Sequence, residues 1–395
     1  MTWSGELGDA LDQLIDHRGK TPKKLGGDWT ADGVPVYSAL HMKDGRLSAE
    51  GARRVPAAVY DRWMPVKLAA GDVLLTSEAP LGEVAYLRDE HEACLGQRLF
   101  GLRGRSGVLD GRYLYYLLQH APVRAQILGR SSGTTVSGIR QAELVKVRLD
   151  LPQVDEQSAI AEVLGALDDK IESNRRIDGD IQALLSVEAD IWRADIADWR
   201  TTTFGEFTDV FGGATPKTTE PAYWGDGHAW VTPSDVTALG SAYLFETTRT
   251  ITGEGLAGCS AELHPPGSIF MTSRATIGAF AIPQVDCATN QGFIVVRPRV
   301  TTDRWFLLDE MRRRVPDMLD RANGSTFLEL SRGNFEAMDL RVPGDPQRVE
   351  VLHDRLDPLH RRAAQAAAES RSLAELRDAL LPELLSGRLR VPVPA

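Results

Sequence analysis

An internal repeat constrains the fold of this 395-residue chain more than any other feature of its sequence. Five segments of the first half recur in the same order in the second half, at offsets between 191 and 196 residues. The matched pairs are RGKTPKK with GGATPKT, GVPVYSALHMKDGRL with HAWVTPSDVTALGSAYL, GDVLLTSEAPLGEVAYL with GSIFMTSRATIGAFAIP, CLGQRLFGL with ATNQGFIVV, and GTTVSGIRQAELVKVRLDLP with GSTFLELSRGNFEAMDLRVP. Because chance rarely preserves both order and offset, the sequence predicts two copies of one module.

Each copy of the module is followed by a stretch with the residue spacing of a long helix. In both stretches apolar residues recur at alternating steps of four and three, which is typical of helices that pack along their length. The predicted seam between the helices consists of Ile160, Leu164, Leu167 and Ile171 in the first stretch and Leu352, Leu356, Leu359 and Ala363 in the second. Small alanine side chains in the second stretch would let the helix axes approach closely.

Within each copy, short β-type runs are punctuated by Gly and Pro, and a longer helical run follows them. The runs GDVLLT, GEVAYL, SIFMTS, GAFAIP and GFIVVRP are predicted strands, and residues 112–128 and 303–319 are predicted as matching helical runs. The fold class is therefore mixed α/β: two repeated α/β modules separated by two long helices, packed as an antiparallel coiled coil about an approximate two-fold axis. We expect the first module at 1–152, the first helix region at 153–199, the second module at 200–343, and the second helix region with the tail at 344–395.

The formal net charge of −10 argues at first against a nucleic-acid partner, because phosphate contacts need Lys and Arg. Most of the acidity, however, lies in residues 151–199, which hold 4 basic and 12 acidic residues. The rest of the chain holds nearly equal numbers of acidic and basic residues, so its net charge does not exclude local basic patches. The acidic helix is either an ordinary solvent-exposed face or a docking surface that repels DNA and suits a protein partner.

The segment LIDHRGKTPKK contains Gly19-Lys20-Thr21, which is how a phosphate-binding P-loop ends. Leu14 replaces the glycine that begins such a loop, and the residues before it lack the pattern of the strand that should lead into it. The second copy has Gly213-Ala214 in place of Gly19-Lys20 and keeps Thr-Pro-Lys. The shared element is therefore predicted to be a polar turn that opens the module.

Other classes of site find little support. The three cysteines form no C-x-x-C pair, the eight histidines have no ligand spacing, and no G-x-S-x-G or kinase-type pattern occurs, so we expect no metal site and no catalytic residues. An apolar fraction of 43% without a membrane-spanning window, together with separated cysteines, predicts a cytoplasmic protein with no membrane partner.

Several segments together carry a family resemblance. They are GGATPKTTEPAYWGDGHAWVTPSDV, MTSRATIGAFAI, NQGF, GSTFLELSRGNFEAMDLRVP, DEQSAIAEVLGALDDKIESN and LLPELLSGRLRV. In this order, over roughly residues 10 to 392, the chain resembles the DNA-specificity subunit of type I restriction-modification systems. The first module departs from that pattern, because HRGKTPKK replaces the usual Gly-Gly opening and the tryptophan-bearing YWG element is absent.

This resemblance implies that each module is a target-recognition domain that reads one half of a bipartite, asymmetric site in double-stranded DNA. Roughly 35 helical residues would span about 50 Å, enough to place two readers in successive major grooves about 34 Å apart. The chain itself would be non-catalytic and hold no cofactor. Partner methyltransferase subunits, expected as a pair, and optional restriction subunits would use S-adenosylmethionine, ATP and Mg²⁺ for adenine methylation and DNA cleavage.

Candidate DNA contacts are polar, basic or amide residues in the loops that bracket the strands. Arg and amide side chains can read base edges, whereas Ser, Thr and Lys mostly contact phosphate. The candidates are Lys20, Thr21, Lys23, Gln97, Arg98, Arg130 and Ser132 in the first module and Thr215, Lys217, Ser234, Arg274, Asn290, Gln291, Asn323 and Ser325 in the second. Each could instead serve an ordinary turn or cap. The basic run Arg312-Arg313-Arg314 is either a solvated face or a phosphate clamp.

Two rival functions are left open. One is a coiled-coil scaffold whose modules bind protein, which lacks the steep salt dependence expected of DNA binding. The other is an enzyme, either a nucleotide hydrolase at Gly19-Lys20-Thr21 or a self-sufficient methyltransferase. The broken P-loop pattern and the absence of a catalytic Asn-Pro-Pro-aromatic tetrapeptide speak against the enzyme.

Overall fold

A computed structural model describes residues 3–43, 45–133, 136–324 and 328–392. The chain divides into two compact units. Unit 1 comprises Met1–Lys170 and Leu373–Ala395, and unit 2 comprises Ile171–Ser372. Each unit therefore contains one module and a portion of both long helices. The predicted module boundaries stay predictions, because this division cuts through the helices.

Unit 1 is built mostly from short strands and short helices. Its strands are β1 (Trp3–Glu6), β2 (Leu11–Asp16), β3 (Val34–Tyr37), β4 (Met42–Lys43), β5 (Arg46–Leu47), β6 (Arg54–Val55), β7 (Val73–Thr76), β8 (Val84–Tyr86), β9 (Cys94–Leu95), β10 (Leu99–Gly104) and β11 (Arg148–Leu151). The helices that begin in this part of the chain are α1 (Leu7–Ala10), α2 (Ala57–Trp63), α3 (Gly111–Gln119), α4 (Ala121–Gly129), α5 (Gln141–Leu144) and α6 (Val154–Ala194).

Unit 2 contains similar strands and helices in a similar order along the chain. Its strands are β12 (Trp199–Thr203), β13 (Asp209–Gly212), β14 (Trp224–Val231), β15 (Tyr243–Leu244), β16 (Arg249–Ile251), β17 (Ile269–Thr272), β18 (Phe280–Pro283), β19 (Cys287–Thr289), β20 (Phe293–Arg297) and β21 (Asp339–Pro343). The helices that begin in this part of the chain are α7 (Phe204–Phe207), α8 (Pro233–Thr237), α9 (Gly253–Ala257), α10 (Arg304–Arg313), α11 (Val315–Asp320), α12 (Arg332–Glu336) and α13 (Gln347–Leu385).

The strand order confirms the duplication. Unit 1 has the sheet β2-β10-β7-β8 and unit 2 has β13-β20-β17-β18-β15, each built on antiparallel neighbours apart from the parallel edge pair β15–β18. A second sheet is β6-β3-β9 in unit 1 and β16-β14-β19 in unit 2, and in both the last pair is parallel. The ends of each module are closed by β1 with β11 and by β12 with β21. The mixed α/β fold with two repeated modules and long helices is therefore confirmed.

The burial of the central strands β7 and β17 explains why their sequences are continuously apolar. Every residue of β7 and of β17 is buried, because each strand is covered on both faces. In unit 1 the helix α3 packs on this sheet, and its first turn is capped by the Asp110 carboxylate, which accepts a hydrogen bond from the Tyr113 amide at 2.8 Å. The predicted strands in GDVLLT, GEVAYL, SIFMTS, GAFAIP and GFIVVRP are confirmed.

The predicted helical runs 112–128 and 303–319 are interrupted in the structure. The first divides into α3 and α4 and the second into α10 and α11, in each case just before a proline, Pro122 or Pro316. Proline has no amide hydrogen to donate and clashes with the preceding turn, so it begins a new helix instead of continuing the old one. A strand does precede Gly19, because β2 pairs with β10 there, but β2 is only partly buried and is not the buried β-branched strand of a P-loop.

The long helices run antiparallel within each unit. In unit 2, residues of α6 and the residue that follows it pair with α13 residues in opposite numerical order: Asp195, just after α6, with Arg348 at 2.8 Å, Glu188 with Arg355 at 3.7 Å, and Asn174 with Glu369 at 2.9 Å. In unit 1, Asp168 pairs with Arg377 at 2.7 Å, and Tyr116 donates a hydrogen bond to the other oxygen of Asp168. The order of these pairs shows that α13 runs antiparallel to α6.

The predicted seam residues are mostly buried. Ile160, Leu164, Ile171, Leu352, Leu356 and Ala363 are buried, and Leu167 and Leu359 are half-buried. Ile160 and Leu164 share a core with strands and helices of the unit 1 module, and Leu352, Leu356 and Ala363 share one with the unit 2 module. The heptad pattern therefore reflects packing of each helix on a module as well as on the other helix.

The basic run 312–314 is neither a solvated face nor a phosphate clamp. Arg313 pairs with Asp190 of α6 at 2.6 Å and with Asp309 at 2.8 Å, while Arg314 pairs with the buried Glu310 at 3.3 Å. Arg312 lies against Gln182 of α6, and burial lowers its pKa. Asp190 of α6 thus neutralises an arginine of its own unit.

Among the described residues, no helix is both long enough and apolar enough to span a membrane.

Candidate nucleic-acid interface

Three loops of unit 1 meet at one end of its central sheet. They are the turn 77–79 after β7, the turn 97–98 before β10 and the segments 130–133 and 136–138, and we call them the unit 1 loop cluster. The Ser77 amide donates to the Arg98 carbonyl, and the Ile139 amide donates to the Ser77 carbonyl, both at 2.9 Å. Ser132 and Gly138 exchange backbone hydrogen bonds at 2.9 and 3.0 Å, which closes the third loop. Backbone bonds therefore join the loops independently of their side chains.

The unit 2 loop cluster has the same connections. It consists of the turns 273–275 and 290–292 and the loop 322–324 with 328–330. The Ser273 amide donates to the Gly292 carbonyl at 2.8 Å, and the Leu330 amide donates to the Ser273 carbonyl at 2.9 Å. Asn323 and Glu329 exchange backbone bonds at 2.9 and 2.8 Å. Two modules of different sequence thus present loops on one shared frame.

Unusual backbone angles mark both clusters. Ala79 has φ of 51°, the matching Ala275 has φ of 59°, and Arg98 has φ of 66°. A side chain other than glycine in this left-handed region costs on the order of 1–3 kcal/mol, and such strain is concentrated at functional sites. Its recurrence at Ala79 and Ala275 shows that the module frame itself imposes the turn.

Opposite charges occupy the clusters in a different arrangement in each unit. In unit 1, Arg98 pairs with Glu78 at 3.1 Å, and in unit 2, Arg274 pairs with Glu329 at 2.7 Å. Glu78 and Arg274 stand at matching positions of the repeat, so the sign of the charge there is reversed. The four side chains are between 41% and 45% exposed, and exposed ion pairs contribute only about 0–1 kcal/mol. These arginines can therefore exchange a carboxylate for another anion at little cost.

The unit 1 cluster encloses a shallow depression of about 350 Å³. Its lining consists of Asp16, Arg18, Gly19, Glu78, Gln97 and Arg98. Sequence reasoning identified Gln97 and Arg98 but missed Arg18, which follows β2, stacks 4.2 Å from the Phe100 ring centroid and pairs with Asp16 at 2.7 Å. The signal that would have found Arg18 is the strand β2 itself, which places the residues after it at the sheet end.

The remaining unit 1 candidates differ in their exposure and in whether their side chains already contact other residues of the chain. Lys20 donates from Nζ to the Trp63 carbonyl at 2.6 Å, and burial lowers the pKa of Lys20, so it supports the opening turn. Thr21 is half-buried, and its hydroxyl accepts from the Lys24 amide at 3.4 Å. Lys23 and Ser132 are exposed, and Arg130 lies 3.6 Å from Glu143.

The unit 2 candidates include a hydrogen-bonded pair across two loops. Thr215 donates its hydroxyl hydrogen to the side-chain oxygen of Gln291, which joins the opening segment to the turn before β20. Asn290 accepts from the Gly292 amide at 2.8 Å and so shapes that turn. Lys217, Ser234 and Asn323 are exposed. Ser325 lies outside the described residues.

Nothing in the described part of the chain groups three or more His, Cys, Asp or Glu residues in a way that could hold a metal ion. Burial raises the pKa of Cys94 and of Cys287 to about 12, so both thiols are protonated at neutral pH. The chemistry that both loop clusters offer is hydrogen bonding and charge pairing by exposed amide, hydroxyl and guanidinium groups. Such groups suit recognition of a polyanion.

Comparisons with known proteins bear directly on this arrangement. A family model described as the type I restriction modification DNA specificity domain matches residues 5–183 and again residues 196–366. The two matches cover most of the chain. The chain belongs to this DNA specificity domain family.

Each match to the specificity family contains one loop cluster, since 5–183 includes the turns at 77–79 and 97–98 and 196–366 includes those at 273–275 and 290–292. The chain is 31% identical over 156 residues to the MjaIX specificity subunit of a type I restriction enzyme from Methanocaldococcus jannaschii, which covers 39% of the chain and 36% of that protein. It is 23% identical over 196 residues to the HindI specificity subunit from Haemophilus influenzae, covering 48% and 42%. These matches span less than half the length of either relative.

A solved structure shares the fold. The type I restriction-modification S subunit from M. genitalium superimposes with a TM-score of 0.60 at 17% identity, covering all of this chain and 97% of that one. At this identity the likeness concerns the fold alone. The family relationship itself rests on the paired specificity-domain match.

Proposed function

We propose that this chain is the specificity subunit of a type I restriction-modification complex. In this role each unit reads one half of a bipartite, asymmetric sequence in double-stranded DNA. The observation that carries the proposal is the pair of loop clusters on one backbone frame with different side chains, Glu78 with Arg98 in one and Arg274 with Glu329 in the other. A shared frame with different contact groups is what two half-site readers of different sequence require.

Under this proposal the chain performs no chemistry of its own. Methyltransferase subunits, expected as a pair, would bind S-adenosylmethionine and methylate adenine. Optional restriction subunits would use ATP and Mg²⁺ to cleave DNA. The chain would contribute the choice of sequence and, through α6 and α13, the separation between half-sites. A location in the cytoplasm, where chromosomal DNA and these partners meet, is part of the same proposal.

An exposed apolar stripe on α6 supports docking of a protein partner. Leu184, Val187 and Ile191 follow helical steps of three and four and are 43%, 52% and 55% exposed. Large apolar side chains grouped on an exposed helix face are unusual in a chain that works alone. We expect Ile191→Asp to weaken co-purification with methyltransferase subunits while the unfolding midpoint stays unchanged, with the exposed Glu162→Gln on the same helix as the matched control.

The deciding experiment is methylome sequencing of the host strain with and without the gene for this chain. The expected result is a bipartite methylated motif that disappears on deletion and returns on complementation. If methylation stays the same while the gene and its neighbours are expressed, the specificity proposal fails and the scaffold interpretation replaces it.

A further inference from the structure

An arginine is stacked on tryptophan in the second sheet of unit 2. The Arg249 guanidinium carbon is 3.5 Å from the centroid of the Trp224 ring and 5.7 Å from that of Trp230. The two indole rings meet edge to face, with centroids 5.0 Å apart at an angle of 84°. Stacking of this kind orients a guanidinium while leaving the donors at its edge available.

The same tryptophans hold the opening segment of the module in place. Trp230 donates from its indole nitrogen to the Ala214 carbonyl at 3.1 Å, and Trp224 donates to the Lys217 carbonyl at 3.2 Å. Thr215, between these two carbonyls, bonds to Gln291 of the loop cluster. Arg249 is therefore anchored on the scaffold that positions Thr215 and Lys217.

Unit 1 has a counterpart that its sequence concealed. The Arg53 guanidinium carbon is 3.6 Å from the Trp29 ring centroid. Arg53 precedes β6 and accepts from the Val36 amide of β3 at 2.8 Å, while Arg249 begins β16 and lies opposite Trp230 of β14. These are equivalent places in the second sheets of the two units. The YWG element is absent from the first module, and Trp29 supplies a ring for the arginine there instead.

Neither arginine is neutralised by its surroundings. Several other stacked arginines have acidic partners: Arg18 pairs with Asp16, and Arg297, over the Phe211 ring, pairs with Glu262. Within the described ranges of the chain, Arg53 and Arg249 form no ion pair and donate no side-chain hydrogen bond, and both are exposed. Each therefore presents an oriented positive charge with unused donors.

We infer that Arg53 and Arg249 each bind a backbone phosphate of the DNA, one in each half-site, as clamps that position the unit without reading sequence. The inference rests on the proposed DNA-binding function and assigns a role within it. Arginine on tryptophan occurs in both units, although the loop clusters of the two units carry different side chains. A contact shared by readers of different half-sites belongs on the sequence-independent backbone.

The test compares Arg249→Ala, Arg53→Ala and the double variant in the full chain, together with the partner subunits that co-purify with it. The probes are duplexes that carry the methylated motif and duplexes with one half-site substituted. Each single variant is expected to lose on the order of tenfold in affinity, as for a charged hydrogen bond, and to reduce the slope of log K against log salt by about 0.9. The loss is expected to be equal on both duplexes.

Two further variants serve as controls. One keeps the charge at position 249 but changes its shape, and the other removes a stacked arginine from a different strand. Arg249→Lys keeps the charge but loses the planar stack, so an intermediate affinity is expected. Arg341→Ala is the matched control, because Arg341 is exposed, stacks 5.2 Å from the Trp199 ring and has no ion pair among the described residues, yet lies on β21, which pairs with β12 and belongs to neither of the two larger sheets of unit 2. Its affinity and salt slope are expected to match those of the unaltered chain.

Outcomes distinguish the inference from the function on which it rests. If the unaltered chain binds its motif and the arginine variants keep both affinity and salt slope, the phosphate-clamp inference fails and the proposed function stands. A variant that changes the ratio between the two duplexes also overturns it, because the residue would then read bases. If the unaltered chain shows no preference for the motif, the proposed function itself fails.

Discussion

At the scale of single residues, substitutions in the loop clusters are expected to change DNA binding more than the free energy of unfolding. Arg274 and Glu329 form an exposed ion pair, so Arg274→Ala is expected to change the free energy of unfolding by less than about 1 kcal/mol. The same change removes a guanidinium from the unit 2 loop cluster and should weaken DNA binding. Glu329→Gln removes the competing carboxylate and should strengthen it. Titration of labelled duplex and urea unfolding measure the two effects, and Arg348→Ala, which breaks the exposed Asp195 pair, is the control.

A buried histidine gives unit 2 a pH dependence. His360 stacks on Trp305 with ring centroids 3.6 Å apart and hydrogen-bonds with the Tyr243 hydroxyl at 2.9 Å. Burial, with the nearby Arg312 and Arg304, lowers its pKa from 6.5 to about 3. The unfolded chain therefore binds the proton more readily, so stability is complete above pH 6.5 and is lost as the pH falls from there towards 3.

The expected loss for His360 is up to about 1.4 kcal/mol per pH unit below 6.5. Urea unfolding at several pH values between 4.5 and 7.5 measures it. His360→Gln, which keeps an acceptor for Tyr243, should flatten the profile, although His264, whose pKa burial lowers to about 4, leaves a residual slope. An unchanged slope in His360→Gln would contradict the assignment.

At the scale of elements, the seam residues of the long helices also pack in the hydrophobic cores of the modules. Leu164 and Leu352 are completely buried, the first in the unit 1 core and the second in the unit 2 core. Each change to Ala should lower the free energy of unfolding by about 2–5 kcal/mol through lost burial and a residual cavity. Val187→Ala on the exposed face of α6 should change it by less than about 0.5 kcal/mol. Equal effects at the three sites would show that the helices do not pack as described.

At the scale of the whole molecule, the duplication predicts modular exchange. Replacing residues 200–343 by the second module of another specificity subunit should change one half of the methylated motif and leave the other half and the spacing intact. The reason is that each unit has its own core and its own loop cluster. Methylome sequencing of the complemented strain reads out the result. A change in both halves would show that the modules do not recognise DNA independently.

Much of the fold followed from local signals that the tertiary structure left intact. The repeat predicted two modules because matched segments such as GDVLLT and GSIFMT become equivalent strands, β7 and β17. Heptad spacing predicted the long helices because burial of one face every three or four residues is a property of the helix itself. The breaks at Pro122 and Pro316 were missed although the residues were visible, because apolar spacing was given more weight than the missing amide hydrogen.

The sequence by itself determined the duplication, the fold class and the family, since order and spacing of residues carry these along the chain. Only the tertiary structure decided which side chains meet. It neutralised Arg313 and Arg314 with acidic residues, placed Lys20 on the Trp63 carbonyl, and brought Trp29 under Arg53 in the module whose sequence lacks the tryptophan motif. The physical reason is that charge pairing and ring stacking act over a few ångströms between residues far apart in sequence, and spacing along the chain does not encode those distances.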